Sequence, residues 1–372
     1  MTHAIHTLRV LIAISLFVMV LEICARLDDY ISYRAPILDT YSSASLYEND
    51  QFGKRGRPFA QYRKWQLNEL GYRGPRIDKD RIPIVIFGAS ETFGLYESEG
   101  KEYPRQLERE LNTCTGKPIY QVINVAYPGQ TLSTATRRVP EIVARIHPMM
   151  ALIYASPTFY IDFPLRRSSA LPVQAEKLPA FEFRIGERLQ NVAKSLLPEY
   201  VQTGIRSWQI QRSIGSKSPM ERLPQEALNY LAEDLTEMVI TLRAYCVEPA
   251  LVTHATIFGA VSRSPNRAML VAWRKFYPTL QEDGFLDLEM RANRTIREVA
   301  VQQQVALVDI AGELPGDRKY FADFVHFTDA GAALMAKDLA AGVEPLLRRW
   351  SNYSDNATSS STSCNSGSAA TR

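Results

Sequence analysis

Histidine and cysteine are scarce in this chain, and their scarcity does much of the sorting. There are five histidines and four cysteines. The cysteines, Cys24, Cys114, Cys246 and Cys364, form no CxxC pair and no Cys/His cluster, so the sequence carries no zinc or redox signature. Cys114 and Cys246 each fall just before an expected strand, which leaves two readings open, a disulfide between them or two half-buried thiols. Strong charge is missing as well. A net charge of +3, with no basic block and no aromatic-basic ladder, argues against nucleic acid as a partner.

What is present reads as globular. Apolar residues make up 46% and charged residues 22%, enough for a sizeable core, and 372 residues leave room for one large domain or two modest ones. One long apolar run stands apart, "VLIAISLFVMVLEICA" at 10–25, set between Arg9 and Arg26. At about 1.5 Å per residue it spans roughly 24 Å, slightly short of a hydrocarbon core of about 30 Å. Flanking arginines make up part of the difference by snorkelling. A cleaved signal peptide competes with an uncleaved anchor. "EICAR" is a poor small-x-small cleavage site, and Ile23 stands where a lipoprotein signal needs a small residue before Cys24. The preferred reading is a single-pass anchor at 10–26 with residues 1–9 inside, because His6 and Arg9 precede the run while Asp28 and Asp29 follow it. Under either reading the remainder is exported.

Residues 27–80 read as a turn-rich lead-in, with "NELGYRGPR" leading to the first core strand. From 81 to 350, apolar strand-like runs alternate with helical patterns: "IPIVIFG", "YQVINVA", "MMALIYAS", "PALVTHAT" and "VALVDI", each followed by a helix. Five such units predict an α/β fold with a doubly wound, five-stranded parallel sheet. Ligands of such sheets lie outside the carboxyl ends of the strands. That rule puts Ser90, Gly129, Ser156 to Thr158 and His254 on one rim. The stretch at about 159–220 interrupts the alternation and reads as a cap over the pocket. Within it Phe159, Tyr160, Arg166 and Arg167 suit either sugar binding or an ordinary solvated loop. Residues 351–372 are polar and of low complexity, which predicts a disordered Ser/Thr-rich tail.

A serine hydroxyl is a weak nucleophile unless a base takes its proton, and the base needs an orienting partner. His3 and His6 precede the anchor and His147 faces the wrong end of the sheet. His254 and His326 remain. In "FADFVHFTDAGAA", Asp323 lies three residues before His326, near enough to aim its carboxylate at the imidazole, with Asp329 as an alternative partner. Thr328 is placed to cap the final helix. His254 ends a strand on the active rim, so it is either a substrate contact or a satisfied structural histidine.

The blocks "FGASETFG", "NVAYPGQT" and "DFVH" resemble the SGNH (GDSL-like) hydrolase family. The first is similar to GDSxTxG with Ala89 in place of aspartate, and the last to Asp-x-x-His. The lead-in and anchor resemble exported members linked to bacterial surface polysaccharides. The resemblance spans roughly 68–350 and implies a flavodoxin-like SGNH fold. It implies Ser90 as nucleophile, His326 as general base, Asp323 as its orienter, and the Ser90 and Gly129 N–H groups as oxyanion donors, with no metal or cofactor. It further implies an acyl-serine reaction on O-acylated, foremost O-acetylated, carbohydrate, in the periplasm and on the inner membrane, beside polysaccharide biosynthesis proteins. Transfer of the acyl group to a polysaccharide, or a degenerate glycan-binding domain, are the alternatives. The third family block departs: Ala155-Ser156-Pro157-Thr158 has proline where an asparagine donor is usual. Losing one such donor costs about 10²–10³ in rate, with the hydroxyl of Thr158 or Ser156 as the available replacement.

Overall fold

The computed structural model describes residues 2–162, 174–179, 182–215, 218–259 and 267–357. A helix, α1 (Thr2–Tyr33), opens the chain and is long and apolar enough to cross a membrane. The lead-in forms two antiparallel hairpins, β1 (Tyr47–Asp50) with β2 (Gly53–Gly56) and β3 (Gln61–Tyr62) with β4 (Trp65–Gln66).

The body is one sheet of β5 (Ile82–Phe87), β6 (Tyr120–Asn124), β7 (Met150–Tyr154), β8 (Glu248–Val252) and β9 (Ala306–Val308). Its spatial order is β6-β5-β7-β8-β9, and every pairing is parallel. The expected doubly wound five-stranded sheet is therefore what the chain forms. The central strands carry unbroken buried runs, with every residue of β7 buried, as a sheet covered on both faces requires.

Helices complete the two layers. The short α2 (Ser90–Phe93) and α3 (Tyr103–Thr115) follow β5, and α4 (Leu132–Ile146) follows β6. In α3 the buried Leu107 and Leu111 face the sheet, a proline sits in the first turn, and Gly116 ends the helix in the left-handed conformation. In α4 the Thr131 hydroxyl accepts from the Thr134 N–H at 3.3 Å, capping the start. After β7 come α5 (Arg184–Leu196) and α6 (Glu199–Ile214), then α7 (Gln225–Ala244) before β8. Next are α8 (Arg267–Arg274) and α9 (Glu282–Gln302), and α10 (Asp329–Ala357) closes the chain. α10 packs on α3 at one face, while α7 packs on α4 and α9 at the other.

Two boundaries differ from the sequence reading. α1 continues past Arg26 to Tyr33, and α10 continues past Trp350 to Ala357. The polar tail was placed by composition, yet helix propagation costs little once a nucleus is packed. Residues 358–372, Arg166 and Arg167 lie outside the described residues, as does the Cys114 side chain and with it any bridge to Cys246.

The lead-in builds a satellite core rather than a loose approach. Tyr41, Tyr62, Trp65, Phe93, Tyr47 and Tyr127 form a chain of ring contacts with centroids 4.7 to 6.5 Å apart. Phe93 belongs to α2 and Tyr127 to the loop after β6, so the lead-in grips the two segments that carry Ser90 and Gly129.

Candidate active site

The order β6-β5-β7 places the sheet's reversal between β5 and β7, where a crevice opens at the carboxyl ends. Ser90 begins α2 directly after β5. The turn is tight because a Cβ on Gly88 would lie 1.9 Å from the Thr92 hydroxyl. That hydroxyl is itself fixed by Tyr103, 2.8 Å from the phenol oxygen. At the other end of α2, the buried Arg73 of "NELGYRGPR" donates to the carbonyls of Phe93 and Gly94 and pairs with Glu102 at 3.2 Å. The Asn124 amide donates to the Thr92 carbonyl at 2.7 Å. Ser90 is thus presented from a short helix pinned at both ends.

The loop before α10 supplies the histidine. Asp323 accepts from the N–H groups of Val325 (3.0 Å) and His326 (2.9 Å), and its Oδ2 lies 2.8 Å from His326 Nδ1. A carboxylate there assigns the proton to Nδ1 and leaves Nε2 as the acceptor of the neutral ring. Nε2 is buried and has no hydrogen-bond partner among the described residues. Burial lowers the imidazole pKa, but the Asp323 hydrogen bond and charge outweigh it and raise it above the ordinary value. Asp329, the alternative partner, instead accepts from the Ser98 N–H at 2.7 Å. Thr328 caps α10 as expected, accepting from the Gly331 N–H at 3.1 Å.

The Ser90 hydroxyl points elsewhere. It donates to Glu91 Oε2 at 3.2 Å, and no hydrogen bond joins it to His326. Glu91 is buried and is the hub of a network absent from the sequence reading. Its Oε1 accepts from the Ser156 hydroxyl at 2.9 Å and lies 3.6 Å from His254 Nε2. His254 Nδ1 lies 2.8 Å from Glu289 Oε2, and its backbone N–H and carbonyl are both bonded to the Asn293 amide, at 2.7 and 2.9 Å. The ring also stacks on Tyr154, 5.1 Å between centroids. Desolvation alone would discharge such a ring. The Glu289 and Glu91 carboxylates prevail and push its pKa up to about 10. Burial likewise would raise Glu91, but the neighbouring His254 and His326 imidazoles hold it down at about 2.

These contacts bear on several residues considered from sequence. His254 is 1% exposed; Glu289 lies 2.8 Å from its Nδ1, while its Nε2, 3.6 Å from Glu91, has no hydrogen-bond partner among the described residues. The Ser156 proton goes to Glu91, so the Thr158 hydroxyl, 3.1 Å from Ser156 Oγ, must be the donor of that pair. Neither hydroxyl retains a proton for an oxyanion. Pro157 opens a short 3-10 turn, Pro157–Tyr160. The Gly129 N–H has no hydrogen-bond partner among the described residues, and its φ of 86° requires glycine.

Two further residues border His326. The Tyr96 ring lies 5.4 Å from the imidazole, and burial together with Asp323 raises its phenol pKa to about 12. Glu97 is 1% exposed, and burial pushes its carboxyl up to about 7 against the pull of Arg73 and His326. Neither residue carries a local signal in the sequence. A cavity of about 350 Å³ lies beside the His254–Glu289 pair, between Phe258, Leu286 and Asn293. Ser90, Asp323 and His326 are not among its walls.

No family model matches the chain, and no curated protein does. Solved structures that it is similar to include TesA, at 15% identity with a TM-score of 0.41, covering 71% of this chain and 99% of that one. A lipase/acylhydrolase from Enterococcus faecalis gives 13% identity and a TM-score of 0.42, covering 71% and 96%. A catalytic mutant of Axe2, an acetylxylan esterase from Geobacillus stearothermophilus, gives 12% and 0.42, covering 70% and 94%.

Proposed function

We propose that the protein is an SGNH-type serine esterase that acts on O-acylated, foremost O-acetylated, carbohydrate. The observation that carries this reading is the His326–Asp323 pair: a fixed tautomer, a raised basicity and a vacant buried Nε2, on the loop that faces the rim where α2 presents Ser90. Ser90 Oγ attacks the ester carbonyl carbon while His326 Nε2 takes its proton. The carbonyl oxygen, now negative, receives the Ser90 and Gly129 N–H groups. Collapse expels the alcohol, which takes the proton back from His326, and leaves an acyl-serine. Water activated by His326 then releases the acid.

His326 is a better base for this step than Glu91, although Glu91 is the nearer group to Ser90 in the resting structure. A carboxylate held at about pKa 2 accepts a proton at a cost several kcal/mol greater than an imidazole does. The hydroxyl therefore swings from Glu91 to His326 before attack. Glu91 beside a developing oxyanion would be adverse on its own, and the His254 cation offsets it.

Location follows from the anchor reading. With α1 in the inner membrane, the site faces the periplasm, where acylated surface polysaccharide and its biosynthesis proteins are the natural company of such an enzyme. The same chemistry transfers the acyl group to a sugar hydroxyl where water is excluded. Pro157 and the committed Ser156 proton favour a second reading, a glycan-binding domain without turnover. Acetate release from an O-acetylated oligosaccharide, measured with and without an unacetylated acceptor, separates the three. Release that vanishes in Ser90→Ala supports the esterase, label appearing on the acceptor supports transfer, and glycan binding unchanged in Ser90→Ala without release supports the binding domain.

A further inference from the structure

α5, the first α-helix after β7 among the described residues, is fastened to α1. Glu22 of α1 accepts from the N–H groups of Arg184 (3.2 Å) and Ile185 (3.0 Å), at the start of α5. Arg188 pairs with Asp28 at 2.6 Å and Asp29 at 2.7 Å and donates to the Ala25 carbonyl at 3.2 Å. Arg184 lies 3.7 Å from Asp29, with both side chains buried. Arg26 donates to the Glu182 carbonyl at 2.9 Å. On its other flank α5 meets the lead-in through Glu187 and Arg63 at 2.7 Å. Arg184, Glu187 and Arg188 of α5 are thereby engaged by α1 and the lead-in.

Its opposite side is apolar and, among the described residues, exposed at Leu189 and Leu196. Leu189 is 54% exposed and Leu196 is 77% exposed, seven positions apart and so on one face. The level at which this face sits follows from the length of α1. With the span ending at Arg26, about 1.5 Å per residue puts Glu22 roughly 6 Å inside the exported boundary and Asp29 roughly 4.5 Å beyond it. The α1–α5 clamp, Glu22 to Asp29, therefore straddles that boundary.

We infer that α5 is a second membrane element, lying in the exported interface with Leu189 and Leu196 in the lipid. A helix with its charges on one side and leucines on the other binds interfaces in this way. The occupant is the bilayer that already holds α1, because the clamp is continuous with it. The consequence is orientation: anchor and α5 together fix the domain at two points rather than one. This inference rests on the anchor reading of α1 and is independent of the chemistry at Ser90.

The test uses the full chain in vesicles of phosphatidylcholine and phosphatidylglycerol, with and without bromine on the phosphatidylcholine acyl chains. The tryptophans are Trp65, Trp208, Trp273 and Trp350, so α1 contributes no signal of its own. Leu196→Trp, read against wild type, should add a blue-shifted emission that brominated lipid quenches. Asn191→Trp, off that face, should add emission that it does not quench. Equal behaviour of the two, or a blue-shifted Leu196→Trp emission that lipid leaves unquenched, would overturn the inference, the latter by placing protein on the face. Alkaline carbonate extraction separates the premise from the inference. Chain retained in the vesicles with Leu196→Trp unquenched refutes α5 in the lipid alone. Chain released into solution refutes the anchor and α5 together.

Discussion

Replacing His254 with glutamine removes a cation that lies between two buried carboxylates, 2.8 Å from Glu289 and 3.6 Å from Glu91. Glutamine can keep a hydrogen bond to one of them but not the charge, so two buried anions lose their common partner. Breaking a buried pair from one side costs roughly 3–5 kcal/mol. For a domain of this size about 2–4 °C accompanies each kcal/mol, so the melting temperature of the detergent-solubilised chain should fall by roughly 6–20 °C. The pH dependence gives the sharper signature. A ring whose pKa is raised to about 10 in the folded state stabilises fully below its unfolded value of 6.5, and that contribution is lost as pH climbs through 10. Glu91, depressed to about 2, contributes above its unfolded value of 4.5 and loses that contribution as pH falls toward 2. The gap between wild type and His254→Gln should therefore be widest between about pH 5 and 6 and narrow toward pH 10. The double variant Glu91→Gln/His254→Gln should lose less than the sum of the singles, by about 1–3 kcal/mol. A gap that stays constant from pH 5 to 10, together with additive singles, would refute the charged network.

The remaining expectations concern the serine turn and its base. Asp323→Asn keeps the loop but frees the imidazole to take the wrong tautomer, so kcat/KM on an acetyl ester should drop by roughly 10⁴ with little change in melting temperature. In wild type the acid limb of kcat/KM should lie above pH 6.5, since Asp323 raises the pKa of His326 and only the neutral ring is a base. A limb below 6.5 would speak against His326. Gly88→Ala drives a methyl to within 1.9 Å of the Thr92 hydroxyl and should destabilise by about 1–3 kcal/mol. Adding Thr92→Ala should restore part of the loss, and thermal unfolding of the three variants checks it.

The sheet was legible because its signals are local. Each strand is an apolar run ended by a turn residue, and each helix has its own periodicity, so five units could be counted along the chain. The Asp323–His326 pair was legible for the same reason, three residues apart on one loop. Glu91 was not. It sits beside Ser90 in plain view, but its meaning depends on His254 and Glu289, which the fold brings to it from the loop after β8 and from α9. Only the four-residue spacing of Glu289 and Asn293 hinted at a polar patch on one face of α9. Arg73 was hidden likewise: in sequence it belongs to a turn-rich lead-in, and only packing shows it holding the carbonyls that end α2. Ser156 and Thr158 follow β7, which the sequence shows, but where their hydroxyl protons go depends on neighbours that only the fold supplies.

An activated Ser90 with His326 as its base should react with a fluorophosphonate. Intact mass of the full chain after fluorophosphonate treatment measures this directly, with Ser90→Ala and His326→Ala alongside. One adduct is expected on wild type, none on Ser90→Ala, and slow, partial labelling of His326→Ala. A folded wild-type chain that takes no adduct, or one labelled equally well in Ser90→Ala, would contradict it.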